Sequence, residues 1–269
     1  MSESTPVNPA ESGLEIRTSF VRTRNALLAK ADFGPLYVDF FLHLSDHAIK
    51  PAEAHVALFK RALAGFALHC ASRPWNEIAA WTINFQDPLV NLFLVGDNSE
   101  GAVAGRIFAE NVKALPTNQF FADVVLPGKP KRRSSVEFTG PDPLVAIEAY
   151  YRQSEQRPAR FFQTAEEEFV LVAAHPDCDE AWFDALTVEQ VRELAKTEEL
   201  GDLEKRVCRW HCGCNQQRML QVLQPVYEQD PAELFLGEEV IEIRCPRCAG
   251  RYAITREAME AYVAGHPGK

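Results

Sequence analysis

Apolar positions recur at three- and four-residue spacing through residues 51–72, where Val56, Phe59, Leu63, Phe66 and Cys70 fall on one side. That period predicts an amphipathic helix with Pro51 in its first turn and Cys70 in the core. His55 and His69 lie on one face of this helix. They stand about 21 Å apart along its axis, at ~1.5 Å per residue, and so cannot share a metal ion. Beyond it the period drops to two: Trp81, Ile83 and Phe85 alternate with polar neighbours and predict a strand. The apolar run 92–95 ends at Gly96-Asp97-Asn98, a turn signal. Residues 103–112, 120–126 and 136–139 are further strands, and 160–162 and 169–173 read as extended. Asp142-Pro143 opens a helix that runs to about Gln153, the aspartate as cap and the proline at the first position. Residues 19–174 therefore predict a mixed α+β domain.

The pattern changes after His175. Residues 175–206 are dense in charge and predict a helical linker. Thr187 and Gln190 stand as a capping-box pair, and Gly201 reads as a stop. Trp182, Phe183, Leu186, Val191 and Leu194 give this linker an apolar side, so it should dock rather than float. The third region, 207–269, predicts a helix over 215–223 ended with help from Pro225, then a helical turn at Asp230-Pro231. A strand then runs into Cys245 and pairs with 252–254, and Thr255 caps a last helix that Gly265 ends. The polar, acidic start, residues 1–18, reads as a disordered tail. The fold class expected is α+β: a mixed N-terminal domain, a helical linker and a small C-terminal zinc-binding domain.

Charge narrows the function. The 269 residues carry a formal charge of −10, with a pI of about 5.3, which argues against a general nucleic-acid binder. The local patch Lys129, Lys131, Arg132 and Arg133 lies in a Pro/Gly-rich stretch and reads as a solvated turn. No apolar run approaches the ~18 residues of a membrane span, and the N-terminus lacks the pattern of a signal peptide. A cytoplasmic, reducing setting is expected, with neither nucleic acid nor membrane as partner. In such a setting cysteines serve as metal ligands or redox groups rather than as permanent staples.

Four of the seven cysteines are paired: Cys212-Gly213-Cys214, then thirty residues (215–244), then Cys245-Pro246-Arg247-Cys248. Thiolate sulfur prefers zinc, and structural zinc sites are closed tetrahedra of four N/S ligands. The four thus predict one zinc ion. Cys208 and His211 crowd the same stretch and could substitute for one ligand; Cys178 has no second half-site. Arg209, Arg244, Arg247 and Arg251 would offset the excess negative charge. A region of about 63 residues is marginal alone, whereas structural zinc can supply about 10–16 kcal/mol of folding free energy. Zinc-bound thiolates remain open to strong oxidants, and two local disulfides would eject the metal. The site is then either a rivet or an oxidant-sensitive latch. Motifs of P-loop enzymes, zinc proteases and serine hydrolases are missing from the sequence, and four matched cysteines leave no open catalytic position, so the chain is not expected to be an enzyme.

The CxC and CxxC of Cys212, Cys214, Cys245 and Cys248 resemble the zinc motif of the heat shock protein 33 family. NQQRMLQVL after the CxC, RYAIT after the knuckle, AIEAYYRQSEQRPARFF at 146–162, FQDPLVNLFLVGDN at 85–98 and KTEEL at 196–200 are similar to further family segments. The resemblance implies a redox-regulated, ATP-independent holdase chaperone of the stress response. Reduced, it would hold zinc and be inactive. Oxidation would join Cys212 to Cys214 and Cys245 to Cys248, release zinc, and unfold the zinc region with its linker. The exposed surface, possible as a homodimer, would hold unfolding clients for ATP-dependent chaperones. The chain departs from the family between KTEEL and the CxC, where only residues 201–211 remain. This shortened linker keeps open a constitutive chaperone or protein-binding module with a purely structural zinc site.

Overall fold

The computed structural model describes residues 13–266. A hairpin opens it, β1 (Leu14–Val21) and β2 (Ala26–Asp32), followed by α1 (Gly34–Asp46) and α2 (Glu53–Ala71). Then come β3 (Ile78–Gln86), β4 (Leu89–Asp97), β5 (Ala102–Phe108), β6 (Asn118–Val125) and β7 (Arg132–Phe138). α3 (Pro143–Gln153), β8 (Ala159–Gln163) and β9 (Glu168–Ala174) complete the expected α+β region. Helices α4 (Glu180–Ala185) and α5 (Val188–Thr197) lead into β10 (Leu200–Trp210). The remainder is α6 (Gln216–Gln229), α7 (Pro231–Phe235), the hairpin β11 (Val240–Arg244) and β12 (Arg251–Thr255), and α8 (Arg256–Gly265).

Ten strands form one sheet in the order β7-β6-β3-β4-β5-β10-β1-β2-β9-β8, and β11-β12 stand apart. The long helix α2 is the centre of the main core. Phe59, Leu63 and Phe66 are fully buried, and Cys70 almost so, as the period predicted. They meet Trp81, Phe85 and Phe120 of the sheet and Tyr150 and Tyr151 of α3. Asp142 caps α3 by accepting from the Leu144 amide, as expected. The opposite face of the β1-β2-β9-β8 end is covered by Phe183, Leu186, Val191 and Leu194, so the charged stretch docks. Its Thr187–Gln190 capping box is fully formed.

Four expectations need correction. The tail was read as reaching residue 18, but β1 begins at Leu14, with Leu14 and Ile16 buried between exposed Glu15 and Arg17; residues 1–12 lie outside the described residues. The linker was read as helical to 206, with Gly201 as a stop. Instead α5 ends at Thr197, and Gly201 sits within β10, opposite Phe20. β10 runs antiparallel to β1, from Leu200 opposite Val21 to Cys208 opposite Leu14. Its last residues pair in parallel with β5, Arg209 with Ala102 and Trp210 with Val103. Most of its side chains are half or fully exposed, so it has no apolar alternation to read; a partner nearly 190 residues earlier makes it a strand. The expected boundary at 207 thus falls inside a strand shared with the main sheet. Pro225 does not end α6. It is exposed, while Leu223 and Tyr227 on either side pack into the module core, offsetting the ~3 kcal/mol cost of an interior proline. Finally, the basic patch is exposed and Lys129 lies in a turn, as expected, but Arg132 and Arg133 begin β7 and bond Glu155 and Asp123. Among the described residues no helix is long and apolar enough to cross a membrane.

Candidate metal centre

The C-terminal module has a small apolar core of its own. Met219, Leu220, Phe235, Ile254 and Met259 form its buried centre. Asn215 caps α6 by accepting from the Arg218 amide, fixing the helix start just after the CxC. Thr255 caps α8 through Ala258. Gly213, between the first two cysteines, has φ +67°, a conformation that glycine adopts at no steric cost. The second knuckle closes on itself through Cys245 N–H to Gly250 O at 2.8 Å and Ala249 N–H to Cys245 O at 2.9 Å.

The two halves converge. The sulfurs of Cys212, Cys214, Cys245 and Cys248 all lie within 4.8 Å of one another. Cys212 Sγ is 3.6 Å from Cys245 Sγ, and Cys214 Sγ is 3.4 Å from Cys248 Sγ. Four sulfurs about 2.3 Å from a central zinc would sit about 3.8 Å apart at the corners of a tetrahedron, so donor set and spacing fit a zinc ion. Cys245 and Cys248 are buried at 2% exposure against Val95 and Ala104 of the main sheet, whereas Cys212 and Cys214 are half-buried. The CxC half is therefore the side open to solvent reagents.

The four sulfurs are coupled through close S···S contacts. Hydrogen bonds from Cys212 and its neighbours hold the Cys245 thiol far below its ordinary value. Cys214 is drawn down to about 7, chiefly through Cys212. Cys212 and Cys248 are pushed up by the same thiol contacts. A bound cation would take the place of the thiol protons.

The surroundings were less legible than the ligands. The Tyr252 hydroxyl is 3.0 Å from Cys214 Sγ and 3.1 Å from its carbonyl oxygen. Arg106 on β5 donates to Cys245 O at 3.3 Å. Burial lowers the Arg106 pKa, and the thiolate of Cys245 works against that shift. Of the arginines expected to offset the thiolates, Arg247 reaches Cys212 O at 3.5 Å, while Arg244 pairs with Glu242 at 3.1 Å. Cys208 and His211, the candidate substitutes, stand outside the four-sulfur group. The Cys208 side chain turns into the main core, where burial pushes its thiol up to about 12. The His211 backbone N–H is tied to Val103 O. Cys178 packs beside α4 and α5, far along the chain from any second thiol pair.

The sequence matches the family model described as Hsp33 protein over residues 171–255. No curated protein matches the chain. In fold it is similar to the crystal structure of the 33 kDa chaperonin (heat shock protein 33 homolog) of Thermotoga maritima, with a TM-score of 0.71 and 17% identity. That similarity covers 94% of this chain and 98% of the other. The chain is thus similar to the heat shock protein 33 family, in sequence from β9 to β12 and in fold over nearly its whole length.

Proposed function

We propose that the protein is an ATP-independent holdase chaperone, not an enzyme, whose activity is set by thiol oxidation at a zinc centre formed by Cys212, Cys214, Cys245 and Cys248. One observation carries this reading: four sulfurs from two distant stretches meet within 4.8 Å in a module centred on only five buried side chains. Such a module depends on its metal. Each disulfide takes two electrons from two thiolates and reduces one peroxide to two waters, with protons from solvent. Forming Cys212–Cys214 and Cys245–Cys248 thus consumes two peroxides and removes all four zinc ligands. Each pair can close with local backbone movement alone, because its members are separated by one and two residues. The loosened module would then uncover apolar surface for unfolding proteins during oxidative stress. A cytoplasmic home, a homodimer of the oxidised form and hand-over of clients to ATP-dependent chaperones belong to the same reading.

The course of β10 favours a second reading. The strand runs directly from the end of α5 to the CxC while bound into the main sheet, leaving little free linker to unfold. On this reading zinc is a rivet and the chaperone is constitutive. Light scattering of a thermally aggregating client separates the two, with reduced zinc-loaded protein beside peroxide-treated protein and zinc release followed in parallel. Protection by the oxidised form alone supports the switch. Equal protection by both supports the rivet, and protection by neither refutes the chaperone reading.

A further inference from the structure

α1 carries two histidines one turn apart, His43 within the helix and His47 at its C-cap. Both reach a segment 204–205 residues further on: the second cysteine knuckle. The His43 ring nitrogen Nε2 donates to the Cys248 carbonyl oxygen at 2.9 Å. The His47 Nδ1 accepts from the Arg251 backbone N–H at 3.0 Å. The two rings lie 4.8 Å apart; His47 also meets the Tyr252 ring at 5.5 Å, and His43 meets Trp210 at 5.6 Å. A Cβ on Gly250 would come within 3.2 Å of His47 and 3.3 Å of Cys248 Sγ, so any side chain there would crowd the histidine ring against the knuckle. The pair therefore bonds the polypeptide on both sides of Gly250, one bond on a metal-ligand residue itself.

We infer that His43 and His47 are positioning residues of the metal centre: a clamp that seats the Cys245–Cys248 knuckle on α1 of the main domain. β10 and the CxC hold the module by its first half; the histidine pair holds the second, where Cys245 also accepts from Arg106 and packs with Cys248 against Val95 and Ala104. The group of metal-ligating atoms comprises the four sulfurs without either imidazole, and both histidines bond backbone groups, so the clamp leaves the ligand set complete. Its loss should loosen the 248–251 side of the knuckle while metal stays bound, the Cys245 side being kept by Arg106 and the sheet. The inference rests on the metal-centre reading and not on redox switching, since docking is read on reduced protein without any client.

The test uses the full reduced chain loaded with cobalt(II), whose absorption reports thiolate coordination. The His43→Ala/His47→Ala variant is expected to keep that absorption, shifted in shape. Its amide exchange at residues 248–252 and in the last turn of α1 should quicken roughly tenfold or more, as two net hydrogen bonds are lost. The His43→Gln/His47→Asn variant, which places an amide donor near Nε2 and an acceptor near Nδ1, should restore slow exchange. Unchanged exchange in the alanine variant overturns the clamp. If the alanine variant instead loses cobalt, the amide variant decides: recovery of binding and protection supports the clamp, and failure to recover overturns it. A wild-type chain that takes up no cobalt refutes the metal centre, and exchange at the knuckle still judges the clamp.

Discussion

Phe235→Ala tests how far the C-terminal module depends on zinc. Phe235 is fully buried. Tyr227 meets its ring edge-on at 6.2 Å, and the Arg256 guanidinium lies 4.7 Å from its centre. Around it stand Met219, Leu220, Ile254 and Met259. Truncating a buried phenylalanine costs about 3–5 kcal/mol in transfer and cavity terms. Zinc contributes about 10–16 kcal/mol to a module of this kind, so the variant should still fold when metal is saturating. If the metal-free module is unfolded, its folding free energy is drawn from binding. A loss of about 4 kcal/mol then lowers apparent zinc affinity by about a thousandfold. Competition against a chelator of known affinity, on reduced protein, measures this directly. Phe85→Leu is the control, because Phe85 is equally buried but belongs to the main core beside Phe138. Affinity unchanged within about threefold in Phe235→Ala would refute the reasoning: the site would then be formed before metal arrives.

Other expectations follow from the same structure. Cys245→Ser removes a buried proposed zinc ligand whose sulfur sits 3.6 Å from Cys212; zinc content after desalting should fall sharply while the ten-stranded sheet persists by circular dichroism. His69 is wholly buried, bonded to the Tyr151 hydroxyl through Nδ1, with Nε2 unpartnered. Burial, with Arg73, Arg157 and Arg132 nearby, holds its pKa well below normal. Its contribution is therefore complete above the unfolded value near ~6.5. It is lost as pH falls below that value, by up to ~1.4 kcal/mol per pH unit, because only the unfolded chain takes up the proton. Denaturant melts of His69→Asn should lack this component of the acid slope. Thr187→Ala removes one arm of a formed capping box and should cost about 0.5–2 kcal/mol, read as a shift in the urea midpoint.

The four cysteines were legible because chelation imposes short local spacings that survive any fold around them. So were α2, α3 and the α5 cap, since helix period and capping chemistry are written within one element. The corrections share another cause. β10 is a half-exposed strand without apolar alternation, β1 alternates only over its first residues, Leu14 to Thr18, and each is defined by the other across the whole chain. Pro225 stays helical because flanking residues are held by α7, α8 and β12 rather than by their own propensity. His43 and His47 show the same limit: their i, i+4 spacing stands in the sequence, but nothing local tells a helix-surface pair from a clamp. The sequence by itself determined which four cysteines stand in paired spacings, the helices α2, α3 and α5, and the smallness of the C-terminal module, all properties of neighbours along the chain. Only tertiary structure decided that β10 joins the module to the main sheet, that half the thiols are sealed against Val95 and Ala104, and that α1 grips the knuckle. Those are contacts between residues far apart in sequence, where pairing and burial arise only once the chain has folded back on itself.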